Sequence, residues 1–390
     1  MVEQAGVYLD NAATTPVDPK VAAAMSRCLT LDGNFANPAS HTHHWGLAAT
    51  DAVEEARDEV AAITGAAIEE VVFTSGATEA NNLAILGVAQ RHEPGHMISV
   101  ATEHKAVLDP MLHLRKMGWR IELLPVGEDG RVDLQQLQDS ICDDTKLISV
   151  MHVNNEIGVV QDVAAIGAIA RARSVLFHVD AAQSVGKLAL DMHAQQIDLL
   201  SICAHKFHGP KGVGALCVRR RPPLRIGAIL FGGGHERGLR SGTLPTHQLV
   251  ALGEACKIAR ASMSTEMPRT AAMRDALWSE LQSIPGILLN GSLQHRVAGN
   301  LNICVEGVEG ESLVTALQRI GVSSGSACTS ASLEPSHVLR ALGRKPEQAQ
   351  ASLRISFGRF NVEADVAVAA QDIRQAVQRL RDIAPQVASS

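Results

Sequence analysis

One cysteine, Cys328, lies in a stretch of small and polar residues, SSGSACTSAS, that runs from Ser323 to Ser332. A cysteine kept for packing behaves as a small hydrophobe and is expected among apolar neighbours. The other six cysteines have apolar residues close by, so we expect packed, neutral thiols there. They are Cys28, Cys142, Cys203, Cys217, Cys256 and Cys304. The surroundings of Cys328 instead predict an exposed, mobile loop that carries a reactive thiol.

A lysine and an aspartate follow two apolar runs and stand 26 residues apart. Lys206 lies in CAHKFHGPKG, and Asp180 ends the run SVLFHVD. A pyridoxal-phosphate enzyme needs a lysine to form a Schiff base and an acid that faces the pyridine nitrogen. Lys206 and Asp180 supply both groups, although a solvated loop lysine is the alternative interpretation of Lys206 taken alone.

Two glycine-containing stretches could bind a phosphate group. In TSGATEA, Gly76 and Thr78 lie at the start of a predicted helix, where backbone N–H groups bind anions. An ordinary helix cap would use the same residues. The second stretch is FGGGHERGLRSGT, from Phe231 to Thr243. It could supply further phosphate ligands, but no strand-turn-helix frame surrounds it, so it is not a dinucleotide-binding motif.

Histidines and an arginine complete the set of candidate residues. His104 follows the run HMISVA, where its imidazole could stack on a cofactor ring or serve a structural role. Arg354, in LRISFGR, could pair with the carboxylate of an amino-acid substrate or be a plain edge-strand arginine. His41, His43 and His44 lack carboxylate or cysteine companions at ligand spacing, so we interpret them as surface residues and predict no metal site.

The elements that must position these residues alternate between apolar runs and helical patterns. The runs that we predict to be strands are EVVFTSG, HMISVA, WRIELLPV, TKLISVMHV, SVLFHVD, IDLLSICA and VGALCVRR. Such alternation predicts an α/β fold with a mostly parallel sheet and helices on both faces. Ligands of such a sheet bind beyond the carboxyl ends of its strands. Polar residues follow the predicted strands there, at 75–78, 154–156, 180–183 and 205–206.

The pattern changes near Arg260. A long helical stretch leads into the strand-like runs NLNICVEG and LRISFG and a final helix, roughly from Val362 to Arg381. We therefore predict a large domain over 16–260. Residues 1–15 together with 261–390 are predicted to form a smaller α+β domain, which carries the Cys328 loop.

Composition excludes several classes of protein. The 390 residues, 46% of them hydrophobic, suffice for one large domain and a smaller one. A net charge of -6 gives no reason to expect nucleic acid as a partner. Seven cysteines without a C-x-x-C pair predict free thiols in a reducing compartment. Neither an export signal nor an apolar run of roughly 18 residues is evident, so we expect a cytoplasmic protein that does not enter a membrane.

Taken together, the motifs resemble those of the NifS/IscS cysteine desulfurases, pyridoxal-phosphate enzymes of the aspartate-aminotransferase fold (fold type I). The resemblance covers nearly the whole chain. It rests on YLDNAATTPVDP, FTSGATE, TEHKAVLD, MHVNNEIGVVQD, HVDAAQSVGK, HKFHGPKGVGAL, GGGHERGLRSGTLP, SSGSACTSASLEPSHVLRALG and LRISFGRF. The length of the cysteine segment is similar to that of the group with an extended, mobile loop. The resemblance implies conversion of L-cysteine to L-alanine, with transfer of the sulfur to an acceptor.

The resemblance also implies which residues bind the cofactor. Lys206 would carry pyridoxal 5′-phosphate covalently and move protons, while His104 stacks on the ring. Asp180 would pair with the pyridine nitrogen, and Gln183 with the ring oxygen. Asn155 would lie beside the cofactor as well as the substrate. The phosphate ligands would be Ala77, Thr78, Cys203, His205 and, from the other subunit of a homodimer, Thr243.

For the substrate, the resemblance implies that Asn155 and Arg354 hold the carboxylate of L-cysteine. Cys328 would attack the substrate sulfur and carry it as a persulfide to an acceptor protein, such as an iron–sulfur scaffold or a dedicated carrier. With a scaffold, Cys328 could transiently share a [2Fe-2S] cluster. Iron–sulfur clusters or other sulfur compounds would be the product.

Two features depart from the family. Cys203 and Ala204 stand where members usually have a serine and often a glycine, and a thiol is a weaker hydrogen-bond donor than a hydroxyl. The chain also ends at LRDIAPQVASS, soon after its last predicted helix, whereas housekeeping members extend further to dock the scaffold. A dedicated acceptor is therefore an open alternative to the scaffold.

Two other functions stay open. One is a different reaction with the same cofactor, as in a β-lyase, a selenocysteine lyase or an aminotransferase, for which Cys328 would be dispensable. The other is a non-catalytic binding protein on the same fold, against which the retained Lys206 and Asp180 argue.

Overall fold

A computed structural model describes residues 6–324 and 334–383 of the chain. Cys328 lies outside the described residues. The strands are β1 (Val7–Tyr8), β2 (Val71–Thr74), β3 (His96–Val100), β4 (Arg120–Leu124), β5 (Thr145–Met151), β6 (Leu176–Asp180), β7 (Leu199–Cys203), β8 (Gly214–Val218), β9 (Ile287–Leu289), β10 (Asn300–Val305), β11 (Ile320–Gly321), β12 (Ser323–Ser324) and β13 (Ser352–Ser356).

The α-helices lie mostly between the strands. They are α1 (Pro19–Ser26), α2 (His44–Thr64), α3 (Ala77–Ala89), α4 (Lys105–Lys116), α5 (Leu134–Ser140), α6 (Val163–Ala172), α7 (Thr246–Leu281), α8 (Gly310–Ala316), α9 (His337–Ala341), α10 (Pro346–Gln350) and α11 (Ala364–Ile383). Short 3-10 helices occupy Ile68–Glu70, Ala204–Lys206 and Glu236–Gly238. The last helix was expected at 362–381 and lies two residues later.

A seven-stranded sheet forms the larger part of the molecule, in the order β2-β8-β7-β6-β5-β3-β4. The strands from β7 to β4 are parallel to their neighbours. This confirms the α/β fold with a mostly parallel sheet. Only β8 among these strands runs against its neighbours, β2 and β7. The link between β7 and β8 is shorter than the dozen or so residues that a parallel crossover needs, so the chain turns back directly.

Both faces of this sheet are covered, because successive side chains of each strand point into different cores. Leu200 packs with α2, α6 and α7 on one face. Its neighbour Leu199 packs with α3 and α4 on the other. Ile98 and Met97 divide in the same way. Strands buried on both faces have the continuous apolar runs seen in the sequence.

A second sheet of four antiparallel strands, β12-β13-β10-β9, has its own core against α11 and the later half of α7. The first strand, β1, pairs with β11 beside it. Helix α7 runs through the expected domain boundary at 260: Leu249 and Leu252 pack in the large core, and Met273 and Leu277 in the small one. The division into two domains at 260 therefore stays a prediction, since the helix begins earlier, at Thr246. Among the described helices, none combines the length and the apolar character that crossing a membrane requires.

Candidate active site

The carboxyl ends of β5, β6 and β7 border a cavity of about 600 Å³. Most of the candidate residues named from the sequence line it. They are Ala77, Thr78, His104, Asn155, Asp180, Gln183, Cys203, His205, Lys206 and Arg354. Thr243 is exposed and does not line this cavity, and Cys328 falls in the part of the chain that the structure does not describe.

Asp180 ends β6 and is buried at the cavity. Its Oδ2 accepts a 2.7 Å hydrogen bond from Asn81 Nδ2, and its Oδ1 accepts from the backbone N–H of Ala182. These donors fix the plane of the carboxylate and leave its charge available to a ligand. Sequence reasoning missed Asn81. No signal in the sequence singles it out, since Asn82 follows it in the same helix, yet Asn81 is fully buried.

Lys206 ends the 3-10 helix that follows β7, and its side chain reaches back to the start of the chain. Its Nζ donates to the carbonyl oxygens of Ala12 and Ala13 at 2.7 and 2.6 Å. Both alanines line the same cavity. The N-terminal segment thus positions the lysine that a pyridoxal-phosphate enzyme requires, a contribution that sequence reasoning also missed.

One end of the cavity is formed by the N-terminus of α3. Gly76, the residue before it, has a φ of +149°, which side chains other than glycine rarely adopt. The start of β8 approaches closely, because a Cβ on Gly214 would lie 2.8 Å from the Gly76 Cα. This packing places the first N–H groups of a 13-residue helix at the cavity, where they can bind a phosphate.

Cys203 and His205 line the same cavity and are both neutral near pH 7. Burial raises the pKa of Cys203 to about 11. Burial, together with the positive charges of Lys206 and Lys211, lowers the pKa of His205 to about 4. Cys203 is therefore a buried neutral thiol, as expected from its apolar neighbours.

His104 is the N-cap of α4, and its Nδ1 accepts a hydrogen bond from the Ala106 N–H at 3.0 Å. Burial lowers the pKa of His104, with Asp180 opposing and Lys206 reinforcing the change. The cap thus leaves a neutral ring with its proton on Nε2. His104 therefore has the structural role of a helix cap. The same ring also lines the cavity.

Arg354 is buried in β13, which lies between β12 and β10. The alternative of a plain edge-strand arginine is therefore wrong. Its guanidinium donates to Asp10 Oδ1 at 2.9 Å, to Ser323 Oγ at 3.0 Å and to the carbonyl of Asn155 at 2.9 Å. Its Nε is buried and has no hydrogen-bond partner among the described atoms.

Residues on either side of the undescribed segment 325–333 are held by hydrogen bonds, and Ser323 also lines the cavity. Ser323 on one side accepts from Arg354. On the other side, Ser336 Oγ donates to Glu156 Oε2 at 2.5 Å, and His337 contacts the carbonyl of Glu103 at 2.9 Å. Burial raises the pKa of Glu156 to about 7.

Two further expectations concern residues away from the cavity. His43 caps α2 through its Nδ1, and the described residues contain no group of side chains able to hold a metal ion. Cys142 contradicts the expectation of apolar surroundings: it is exposed in the turn before β5, at the amino edge of the sheet. Its Sγ accepts from Arg120 at 3.0 Å and lies 3.2 Å from His96 Nδ1.

These features provide a test of whether pyridoxal phosphate fits. The cofactor needs a lysine, an acid at its ring nitrogen and anion donors at its phosphate. Lys206, Asp180 and the N-terminus of α3 provide these in one cavity. The buried, unpartnered Arg354 Nε provides a donor for a further anionic group. The residues fit the cofactor.

Comparison with known proteins agrees with this fit. The chain matches the family model described as aminotransferase class-V over residues 7–368. It is 56% identical over 381 residues to the cysteine desulfurase IscS of Tolumonas auensis, covering 97% of this chain and 94% of the relative. The IscS of Aeromonas salmonicida is 53% identical with the same coverage.

Solved structures give the same result. A NifS-like protein superposes with a TM-score of 0.89 at 34% identity, covering 96% of this chain and all of the other. A structure described as SspA in complex with cysteine gives a TM-score of 0.81 at 36% identity, covering 91% of this chain and 100% of the other. These likenesses confirm the fold type I architecture that the resemblance implied.

Proposed function

The chain belongs to the class-V aminotransferase family and is a pyridoxal-phosphate-dependent cysteine desulfurase, and we propose that Lys206, His104 and Cys328 carry out its chemistry. One observation supports this assignment above the others: Lys206 and Asp180 line one cavity with the N-terminus of α3. L-Cysteine is the substrate, and the products are L-alanine and a sulfur atom held as a persulfide.

Residues of this chain hold each part of the cofactor. Asp180 would pair with the pyridine nitrogen, Gln183 with the ring oxygen, and His104 would lie against the face of the ring. The start of α3 would hold the phosphate, with ligands from Ala77, Thr78, Cys203, His205 and, from the partner subunit, Thr243. When bound, pyridoxal phosphate withdraws electrons from the α-carbon of the substrate. The exposed position of Thr243 supports a homodimer in which this residue serves the partner's cavity.

The substrate carboxylate lies between Asn155 and Arg354. Arg354 is anchored by Asp10 and Ser323, and its Nε still lacks a partner among the described atoms. Guanidinium groups are the usual partners of carboxylates. Lys206 carries the cofactor and then moves the proton of the substrate α-carbon through its Nζ, which the carbonyls of Ala12 and Ala13 hold in place.

Sulfur transfer takes place at Cys328. Its thiolate attacks the substrate sulfur, an S–S bond forms, and the C–S bond breaks. The electron pair of the C–S bond stays on the carbon, which takes up a proton and becomes the methyl group of alanine.

The sulfur then passes to an acceptor protein in the cytoplasm, for iron–sulfur clusters or another sulfur compound. An iron–sulfur scaffold and a dedicated carrier both fit a persulfide donor. With a scaffold, Cys328 would also be a transient ligand of a [2Fe-2S] cluster. Labelled sulfur from cysteine, followed by capture of persulfide-bearing proteins, identifies which acceptor is used.

The substitution Cys328→Ser tests the assignment. The variant should keep the visible absorbance of bound cofactor and bind cysteine, but release no sulfide, because a hydroxyl is a far poorer nucleophile towards sulfur than a thiolate. Mass spectrometry of the wild type after a pulse of cysteine should find the added sulfur on Cys328. Cys142→Ser is the matched control, since Cys142 is an exposed thiol away from the cavity. Continued turnover by Cys328→Ser would instead favour a β-lyase, selenocysteine lyase or aminotransferase.

A further inference from the structure

Gln183 has both ends of its side-chain amide engaged. The Nε2 donates to the carbonyl of Ala12 at 2.7 Å, and the Oε1 accepts from Lys187 Nζ at 3.1 Å. Gln183 lines the cofactor cavity, whereas Lys187 does not. The hydrogen bond to Gln183 therefore links the lysine to a side chain of this cavity, from a position four residues further along the chain.

A glutamine amide can turn by half a rotation and exchange its donor for its acceptor, and its neighbours decide which end faces where. An ammonium group offers three donors and no acceptor, and the amine form still offers two donors. Lys187, together with the Ala12 carbonyl, therefore favours the orientation in which the amide oxygen faces Nζ. One hydrogen of the Gln183 NH2 group goes to Ala12, and the other is left for an acceptor in the cavity.

The surroundings of Lys187 argue against a role in stability alone. Burial, and then the positive charge of Lys206, lowers the pKa of Lys187 to about 7. Within the described part of the chain, Lys187 forms no ion pair with a carboxylate. It shares a small interior cavity with Gln183 and Lys206. A second lysine held beside Lys206 without an acid destabilises the fold, so its hydrogen bond to Gln183 needs another explanation.

We propose that Lys187 is a positioning residue, which turns the Gln183 amide so that its N–H faces the ring oxygen of bound pyridoxal phosphate. The proposal rests on the cofactor site described above. Without Lys187, only the Ala12 carbonyl would hold this orientation, and in the turned amide two oxygens would face each other. Removal of Lys187 should therefore weaken the binding of pyridoxal phosphate and change the electronic state of the cofactor ring.

The substitution Lys187→Met removes the donor and keeps most of the side-chain volume. We expect pyridoxal phosphate to bind this variant about 10-fold more weakly, the loss typical of one hydrogen bond. The visible absorption maximum of the bound cofactor should shift as well. Lys187→Arg retains a donor and should restore both the absorption maximum and the affinity to within about 3-fold of wild type. Affinity is measured by titrating the apoprotein and following its fluorescence.

A double-substitution cycle with Gln183→Ala separates positioning from a direct effect of charge. In the Gln183→Ala background, Lys187→Met should change neither the absorption maximum nor the affinity. An equal change in both backgrounds would overturn the proposal, because Lys187 would then act on Lys206 directly. If Lys187→Met does not fold, Lys187→Leu serves in its place, since its side chain also lacks a donor. A folded variant with unaltered absorption and affinity also overturns the proposal, whereas a wild-type protein that binds no pyridoxal phosphate overturns the function proposed above.

Discussion

The two edges of the seven-stranded sheet carry similar residues in different arrangements. At the amino edge, Cys142 and His96 lie with Arg120, whose Nη2 pairs with Asp144 Oδ1 at 2.9 Å. At the carboxyl edge, Cys203, His104 and His205 lie with Lys206 and Asp180. Both edges thus combine a thiol, imidazole, a cation and a carboxylate. The residue types alone therefore do not distinguish the candidate site at the carboxyl edge from the amino edge.

The difference lies in the partners of the charged groups. At the amino edge, a cation and a carboxylate pair with each other in solvent, where such pairs contribute little to stability. At the carboxyl edge, Asp180 accepts from an amide and a backbone N–H, and the contacts of Lys206 include two backbone carbonyls. Charges held by neutral dipoles in a cavity remain able to act on a ligand. We therefore expect substitutions of the charged groups at the carboxyl edge to have larger effects than substitutions at the amino edge.

The largest effect is expected at the carboxyl edge for Lys206→Ala. Turnover of cysteine should fall by at least about 1,000-fold even with added cofactor, because both the covalent attachment and the proton carrier are lost. The matched control is Lys146→Ala, which removes a lysine near the amino edge and should leave turnover unchanged. If Lys206→Ala desulfurated cysteine at the normal rate, a lysine at the carboxyl edge would be no more important for turnover than one at the amino edge.

A large effect on stability is expected from Glu156, which is buried and accepts a hydrogen bond from Ser336. Its pKa is about 7 in the folded protein and near 4.5 in the unfolded chain, so the folded state binds more protons between these values. The stabilisation of the folded state by this protonation is present below pH 4.5 and is lost as the pH rises to about 7.

The variant Glu156→Gln lacks this titration. Relative to the variant, the wild type should lose on the order of 2–3 kcal/mol of unfolding free energy between pH 4.5 and 8. Denaturant titrations at several pH values measure the difference. Glu347→Gln, at an exposed carboxylate, is the control. Parallel curves for wild type and Glu156→Gln would contradict the prediction.

A smaller effect is expected for Cys203→Ser. The serine hydroxyl is a better hydrogen-bond donor than the thiol, so the variant should stay active and bind pyridoxal phosphate as tightly as wild type or up to about 10-fold more tightly. Titration of the apoprotein with cofactor measures this. Loss of persulfide transfer with the cofactor still bound would identify Cys203 as a second sulfur carrier.

The smallest effect is expected at the amino edge. Cys142→Ser removes an exposed thiol whose polar neighbours a hydroxyl can also contact, so unfolding free energy should change by no more than about 0.5 kcal/mol. Turnover should be the same as in wild type. A loss of turnover would place a functional thiol at the edge where the charged groups are already paired.

Much of the carboxyl edge could be predicted from the sequence, because each strand is buried on both faces and its apolar run ends where the polar residue begins. Asp180 and Lys206 were found in this way. The carbonyls of Ala12 and Ala13 could not be, since a backbone acceptor has no residue type of its own. Asn81 contacts Asp180 across 99 positions of sequence, and no local pattern reports such a contact.

Other differences from expectation have similar physical causes. An apolar run does not state the direction of its strand, so the reversal of β8 was not evident. Short-range apolar neighbours suggested that Cys142 is buried, but they belong to the adjoining elements, while Cys142 lies in the turn between them. The helical pattern of α7 is continuous, so its sequence does not mark a domain boundary at 260.

Helix α7 also determines how this protein can be divided into fragments. Because one continuous helix supplies side chains to both hydrophobic cores, a cut at 260 leaves each fragment with half of a helix and an exposed apolar face. Complementation by two separately expressed pieces is therefore better attempted at a surface turn, such as the one that contains the exposed Glu128. For the same reason, a chimera of this protein with a relative has to take the whole of 246–281 from the same parent as one of the two cores.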